Sequence, residues 1–378
     1  MAIQLFLPKF RIDETLSEIR ECLEKGWTGL GFKTIEFENR WKEYTGLSHA
    51  HFLNSATVGL DLAIRILKME FGWSDDDEII STPMTFVSTN HAILYNNMKV
   101  VFADIDEYMC IDPKSLLERI TPKTRAVLYV GVGGNTGQLK EIEKICLKNN
   151  LKLIIDAAHM SGTRYMDGSL PGKINADVIV YSYQAVKNLP TADSGMICFR
   201  EAKHDEIVRK LTWLGINKDT YSRSVNEKST YKWKYDVEYI GFKDHGNSII
   251  AAIGLVALKY LDVDNAYRRQ LAKWYDEGFS NHSIIKPVKV NPDCESSRHL
   301  YQILINNRDE VLTALNNAEI YPGVHYLDNT KYRMYSYANG TCPNAHYASE
   351  HILSLPMHMS LTKSDIDFII ANIIKFAK

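Results

Sequence analysis

The order of apolar and polar positions divides the chain into two regimes. Between residues 100 and 199, short apolar runs rich in β-branched side chains recur at 100–106, 125–130, 151–156, 177–182 and 195–199. Each is bounded by turn formers and none alternates cleanly between apolar and polar, the pattern of strands covered on both faces. Between two of them Leu139, Ile142, Ile145 and Cys146 recur at helical spacing, and paired asparagines at 149–150 close the segment. Repetition of strand, helix and strand predicts an α/β fold, a mostly parallel sheet sandwiched by helices with ligands outside the carboxyl ends of the strands. After residue 200 the pattern changes. A charged region rich in Lys, Tyr and Trp (202–240) leads to an apolar stretch at 248–261 that predicts a long, largely buried helix. From about 265 a smaller mixed segment follows, ending in SLPMH (354–358) and a helix near TKSDIDFII (362–370). The expected organisation is a large domain over 1–245, then a linking helix and a smaller C-terminal α+β domain over 246–378.

Length and charge narrow the classes of function. At 378 residues the chain exceeds what one core usually organises, about 250–300 residues, which agrees with two domains. A net charge of −2 with no basic stripe gives no reason to expect nucleic acid. No stretch approaches the ~18 apolar residues of a membrane span, and the first residues lack a charged leader before an apolar run, so a cytoplasmic enzyme without an anchor is expected. The cysteines at 22, 110, 146, 198, 294 and 342 form no CxxC pair, which predicts neither a disulfide framework nor a metal site.

The candidate chemistry sits at strand ends. Asp156 closes an apolar run, and Lys187 follows another, 31 residues later, five residues after Ser182. An acid that keeps a pyridine nitrogen protonated, paired with a lysine that bonds a cofactor aldehyde, points to pyridoxal phosphate chemistry. The segment from Asn54 to Leu67 is a polar turn opening an amphipathic helix, where free backbone amides and the hydroxyls of Ser55 and Thr57 suit a phosphate. Phe86, after another strand end, offers a ring to stack on a flat cofactor. A competing reading is a dinucleotide fold built on GVGGNTG (131–137), but Thr136 stands where the third glycine of that fingerprint belongs.

Together these segments resemble the DegT/DnrJ/EryC1/StrS family of sugar aminotransferases over nearly the whole chain. EKGWTGLGFKTIEFEN (24–39) resembles the family's opening segment, SAT (55–57) its phosphate turn, TPMTFVST (82–89) its ring-stacking stretch, DAAH (156–159) its acid element and SYQAVK (182–187) its lysine element. The resemblance implies a fold type I transferase using pyridoxal 5′-phosphate and pyridoxamine 5′-phosphate. It assigns Lys187 the covalent bond and the proton shuttle, Asp156 the pyridine nitrogen and His159 the neighbourhood of the phenolic oxygen. It further assigns Ser55, Ala56, Thr57 and Ser182 the phosphate, Phe86 the ring stack, and His325 and Tyr326 of GVHY (323–326) the substrate. Three departures stand out. ADSG (192–195) replaces Gly-Glu-Gly-Gly, Ala56 replaces a glycine, and GFKDHGN (241–247) places Lys243 or Asn247 where the family has an Asn that reaches a partner subunit's phosphate. The implied reaction moves an amino group from an amino acid, expected to be glutamate, to a nucleotide-linked keto sugar. A dTDP-4-keto-6-deoxyhexose giving a viosamine-type 4-amino-4,6-dideoxy sugar for surface glycans is expected, on a homodimer with shared sites. A 3-keto sugar is the alternative substrate. A sugar dehydratase of the same fold carries His in place of the lysine, and Lys187 speaks against it. A non-catalytic regulator would not need Asp156, His159 and Lys187 together.

Overall fold

The computed structural model describes residues 2–218 and 234–378. Part of the charged region expected over 202–240 therefore lies outside the described residues. Twelve strands are present among those described: β1 (His51–Leu53), β2 (Glu78–Ser81), β3 (Lys99–Phe102), β4 (Thr124–Val130), β5 (Lys152–Asp156), β6 (Arg164–Tyr165), β7 (Val178–Ser182), β8 (Gly195–Phe199), β9 (Lys286–Pro287), β10 (Cys294–Glu295), β11 (Tyr301–Leu304) and β12 (Ile352–Leu355). Seven of them form one sheet in the order β1-β8-β7-β5-β4-β2-β3. Its pairings are parallel except at β8, which runs antiparallel to both β7 and β1.

The near-continuous apolar character of β4, β5 and β7 follows from cover on both faces. Successive side chains point to opposite faces. Leu128, Ile154 and Val180 join one core cluster with Leu60 and Ile64 of the helix Ala56–Phe71. Val127, Ile155 and Tyr181 join another with Phe37 and Trp41 of the helix Phe32–Thr45. The predicted 139–150 unit appears as the helix Leu139–Lys148, capped by Asn149, with Asn150 in the left-handed region at φ 53°.

Two elements differ from the sequence expectation in length. The run at 100–106 ends as a strand at Phe102, because Asp104 turns its carboxylate to the amides of Asn344 and Ala345, both at 2.9 Å, at the start of the helix Pro343–His351. The helix expected at 248–261 continues to Phe279. Its second half holds because Asp264 receives both guanidinium nitrogens of Arg11 at 2.7 Å, while Leu271, Ala272, Tyr275 and Phe279 insert into a third core cluster with Ile303, Leu353 and Ile369. That cluster lies on the sheet β12-β11-β9. The predicted C-terminal helix is Lys363–Phe376, opened by a capping box between Thr362 and Asp365. All six cysteines are buried and free. Among the described residues no helix is long and apolar enough to cross a membrane, and no cluster of His, Cys, Asp and Glu is arranged to hold a metal ion.

Candidate active site

The carboxyl ends of β5 and β7, the start of the helix Ala56–Phe71 and the segment 323–326 converge on one cavity of about 440 Å³. Ser55, Ala56, Thr57, Phe86, Asp156, His159, Ser182, Lys187, His325 and Tyr326 all line it. Ser55 is the N-cap of its helix, its hydroxyl accepting from the Val58 amide at 3.2 Å, so the remaining first-turn amides and the positive dipole end face the cavity. Ala56 is the first helical residue and has no positive φ, so the turn tolerates the missing glycine. Gly195, the glycine kept from the altered ADSG stretch, is required sterically. A Cβ there would stand 2.7 Å from the Ala56 nitrogen and 2.8 Å from the Ser55 carbonyl carbon. The phosphate turn thus packs directly on β8.

Asp156 ends β5 and is buried, without a cationic partner in hydrogen-bond contact among the described residues. It accepts from the Thr89 hydroxyl at 2.8 Å and from the Ala158 amide at 3.0 Å. Since Thr89 gives its proton to Asp156, Thr85, 2.9 Å away, donates to Thr89. Burial raises the Asp156 pKa against these bonds and the attraction of Lys187. Lys187 is partly buried at the cavity wall. Loss of solvation lowers its ammonium to about 8, with Asp156 opposing the shift. A lysine with that titration has a larger neutral fraction near physiological pH than an ordinary lysine, although the charged form still predominates at pH 7. Phe86 leads into the helix Val87–Tyr95 with its ring 60% exposed at the cavity mouth, 6.4 Å from the Tyr326 ring.

The wall opposite consists of three histidines and a tyrosine. Burial drives His159 and His299 well below the usual histidine range and His325 to about 4, with the Lys187 charge acting in the same direction, so all three are neutral at pH 7. The His159 and His299 rings lie 4.3 Å apart, Phe6 stacks on His299 at 5.3 Å, and Tyr326 hydrogen-bonds His159 Nε2 at 3.0 Å. Phe6, Thr89, His299 and Gln184 are cavity residues that sequence reasoning missed. Thr89 and Gln184 left a signal, since both stand in stretches already singled out, TPMTFVST (82–89) and SYQAVK (182–187).

Lys243 and Asn247 do not line the cavity of their own subunit. The Lys243 ammonium lies 5.2 Å from the Trp213 ring, and Asn247 caps the helix Ser248–Phe279 through the Ile250 amide at 3.0 Å. The glycine-rich stretch 131–137 forms a short 3-10 turn, Val132–Gly134, whose Gly133 amide bonds His159. It serves this site, and the dinucleotide reading has no place in the fold.

The cavity fits a phosphorylated pyridine aldehyde. A helix start with free amides suits the phosphate, a buried acid suits a protonated ring nitrogen, and a partly buried lysine of lowered basicity suits the aldehyde. The model of the DegT/DnrJ/EryC1/StrS aminotransferase family matches residues 11–374. The chain belongs to that family. The spore coat polysaccharide biosynthesis protein SpsC of Bacillus subtilis (strain 168) is 32% identical over 94% of this chain and 92% of its own. The UDP-4-amino-4,6-dideoxy-N-acetyl-beta-L-altrosamine transaminase of Campylobacter jejuni is 30% identical over 90% and 88%. Among solved structures, the pyridoxamine phosphate form of the sugar aminotransferase Spr1654 from Streptococcus pneumoniae superposes with a TM-score of 0.90 at 26% identity, covering 99% of this chain and 98% of that one; a pyridoxal phosphate form of it is also similar. The protein is a sugar aminotransferase of fold type I, and its cofactor is pyridoxal phosphate, alternating with pyridoxamine phosphate.

Proposed function

We propose that the enzyme transfers an amino group from glutamate to carbon 4 of a nucleotide-linked 4-keto-6-deoxyhexose, giving a 4-amino-4,6-dideoxy sugar for a surface glycan. The observation that carries the reading is Lys187, partly buried and within the field of Asp156, in a cavity that both residues line. The cofactor, when bound, supplies an electron sink for carbanion chemistry. Asp156 holds the proton on its ring nitrogen. Ser55, Thr57 and Ser182 hold its phosphate, and Phe86 covers its ring. With the cofactor bound, Lys187 would be the residue that bonds its aldehyde and, as a free amine, carries the proton of the transfer. His325 and Tyr326 face the sugar.

The dTDP-linked sugar is the primary substrate of this proposal, on the resemblance of YQAVKNLPTADSGM (183–196) and HGNSI (245–249) to the branch acting on 4-keto-6-deoxyhexoses. A UDP-linked sugar is the second reading, favoured by the Campylobacter relative, a transaminase named for a UDP-linked 4-amino-4,6-dideoxy sugar. The test is purified enzyme with glutamate and, separately, dTDP-4-keto, UDP-4-keto and 3-keto nucleotide sugars, with amine products identified by mass. Amination of only the 3-keto sugar would overturn the carbon-4 proposal. The same reading holds the active unit to be a homodimer in which Lys243 or Asn247 reaches the partner's phosphate. Mixing Lys187→Ala subunits with subunits altered at both Lys243 and Asn247 then restores part of the activity from two inactive parents. Exchange of subunits without recovery would refute the shared site.

A further inference from the structure

The proton positions on the histidine wall follow from its hydrogen bonds. The Gly133 amide donates to His159 Nδ1 at 3.1 Å, so that nitrogen carries a lone pair. The buried ring is neutral, and its one proton therefore sits on Nε2. Nε2 lies 3.0 Å from the Tyr326 hydroxyl, so the imidazole donates and the phenol oxygen accepts. A phenol whose oxygen accepts in this bond still has its own proton to give, and burial keeps Tyr326 protonated. No second partner holds that hydroxyl among the described residues, and Tyr326 lines the cavity.

The arrangement is fixed from several sides. Gly133 adopts φ 65°, a conformation that side-chain-bearing residues rarely take, and this aims its amide at His159. Asn188, the neighbour of Lys187, gives its amide hydrogens to Asn265 Oδ1 and Ser297 carbonyl, each at 2.7 Å, so its oxygen accepts from His299 Nδ1 at 3.0 Å. His299 is thereby locked against the face of His159.

We propose that Tyr326 is a directed hydrogen-bond donor, its O–H turned into the cavity by the Gly133–His159 relay and offered to an acceptor oxygen of the bound molecules. Two oxygens share the required chemistry, the phenolic oxygen of the cofactor ring and the carbonyl oxygen of the keto sugar. The proposal rests on the cofactor-and-sugar reading of the cavity for its acceptor, but not for its proton arrangement, so the two can fail separately.

The experiment has a structural arm and a functional arm. In holoenzyme labelled with 15N-histidine, the His159 resonances, assigned by their loss in His159→Gln, show a neutral ring protonated at Nε2 and bare at Nδ1. A ring protonated at Nδ1 would overturn the relay. In Tyr326→Phe, the functional arm separates the acceptors. A cofactor absorption titration, without substrate, that moves by about one pH unit identifies the phenolic oxygen. An unmoved titration with kcat for the sugar lowered about tenfold, and the half-reaction with glutamate intact, identifies the sugar carbonyl. A variant with wild-type titration and wild-type kinetics would refute the donor role whatever the tautomer.

Discussion

Two buried carboxylates, Asp156 in the cavity and Glu38 beneath the sheet, sit at similar depth and behave in opposite ways. For Glu38, burial works against the charge, but Arg209, at 2.9 Å from one oxygen, and His51, at 2.9 Å from the other, outweigh it, with the Phe52 amide adding a third bond; its pKa falls to about 2. Asp156 has only a hydroxyl, one amide and the field of Lys187, and burial wins. Glu38 ties the helix Phe32–Thr45 to β1 and to the helix Ala202–Leu211. Asp156 and Lys187 hold each other at a distance, without a hydrogen bond between them. A satisfied cluster stabilises the fold, whereas an unsatisfied pair is what an incoming cationic ring and an aldehyde can complete.

The contrast is sharpened most by Lys187→Ala. Turnover is expected to fall by at least about a thousandfold while the protein stays folded and keeps pyridoxamine phosphate, since the phosphate and ring contacts do not use the amine. Retained activity would mean another group does the proton transfer. The paired carboxylate variants come next. Asp156→Asn is expected to lower turnover by at least about a hundredfold without loss of stability in the cofactor-free protein, because an isolated buried charge is removed. Glu38→Gln should do the reverse, costing about 2 kcal/mol in urea unfolding with little change in activity per folded molecule. The figure is kept low because the Arg209 side chain is 40% exposed and can be solvated when its partner is gone. Equal stability losses for the two variants would erase the distinction.

Smaller effects test the support around the pair. Thr89→Val removes the one side-chain donor to Asp156, and we expect turnover to fall about tenfold, with the Thr85 hydroxyl left without its acceptor. A further test is the pH dependence of stability. The Lys187 amine titrates near 8 in the folded protein against an ordinary value of 10.5. Between those pH values the unfolded chain binds more protons, so this residue makes the cofactor-free protein more stable as pH rises through the window. Lys187→Met should flatten that rise, which thermal unfolding at several pH values measures.

Much of this was legible because the chemistry stands where elements end. Asp156 and Ser182 terminate apolar runs, Ser55 opens a helix, and Lys187 follows a strand at a readable distance. The rest is assembled by packing. His299 comes from the loop before β11 and reaches the cavity because Asn188 accepts its proton, and nothing in the residues around it announces this. Phe6 arrives from the N-terminal segment, which crosses to the C-terminal region where Ile3 bridges Ile320. The Glu38, His51 and Arg209 cluster joins two neighbouring elements to a helix whose Arg209 stands 171 residues beyond Glu38. The length of the helix to Phe279 was hidden by charged residues that are neutralised in the fold, Asp264 among them. The glycines at 131–137 were visible as a motif, but their use, aiming an amide at His159, depends on a contact 26 residues away.

In the proposed reaction Lys187 carries the covalent bond to the cofactor. Borohydride reduction of the holoenzyme followed by proteolysis and peptide mass mapping tests it directly. The account predicts loss of the visible absorption band and a phosphopyridoxyl mass on the peptide containing Lys187, with every other lysine unlabelled; a label on a different lysine, or none, would contradict it.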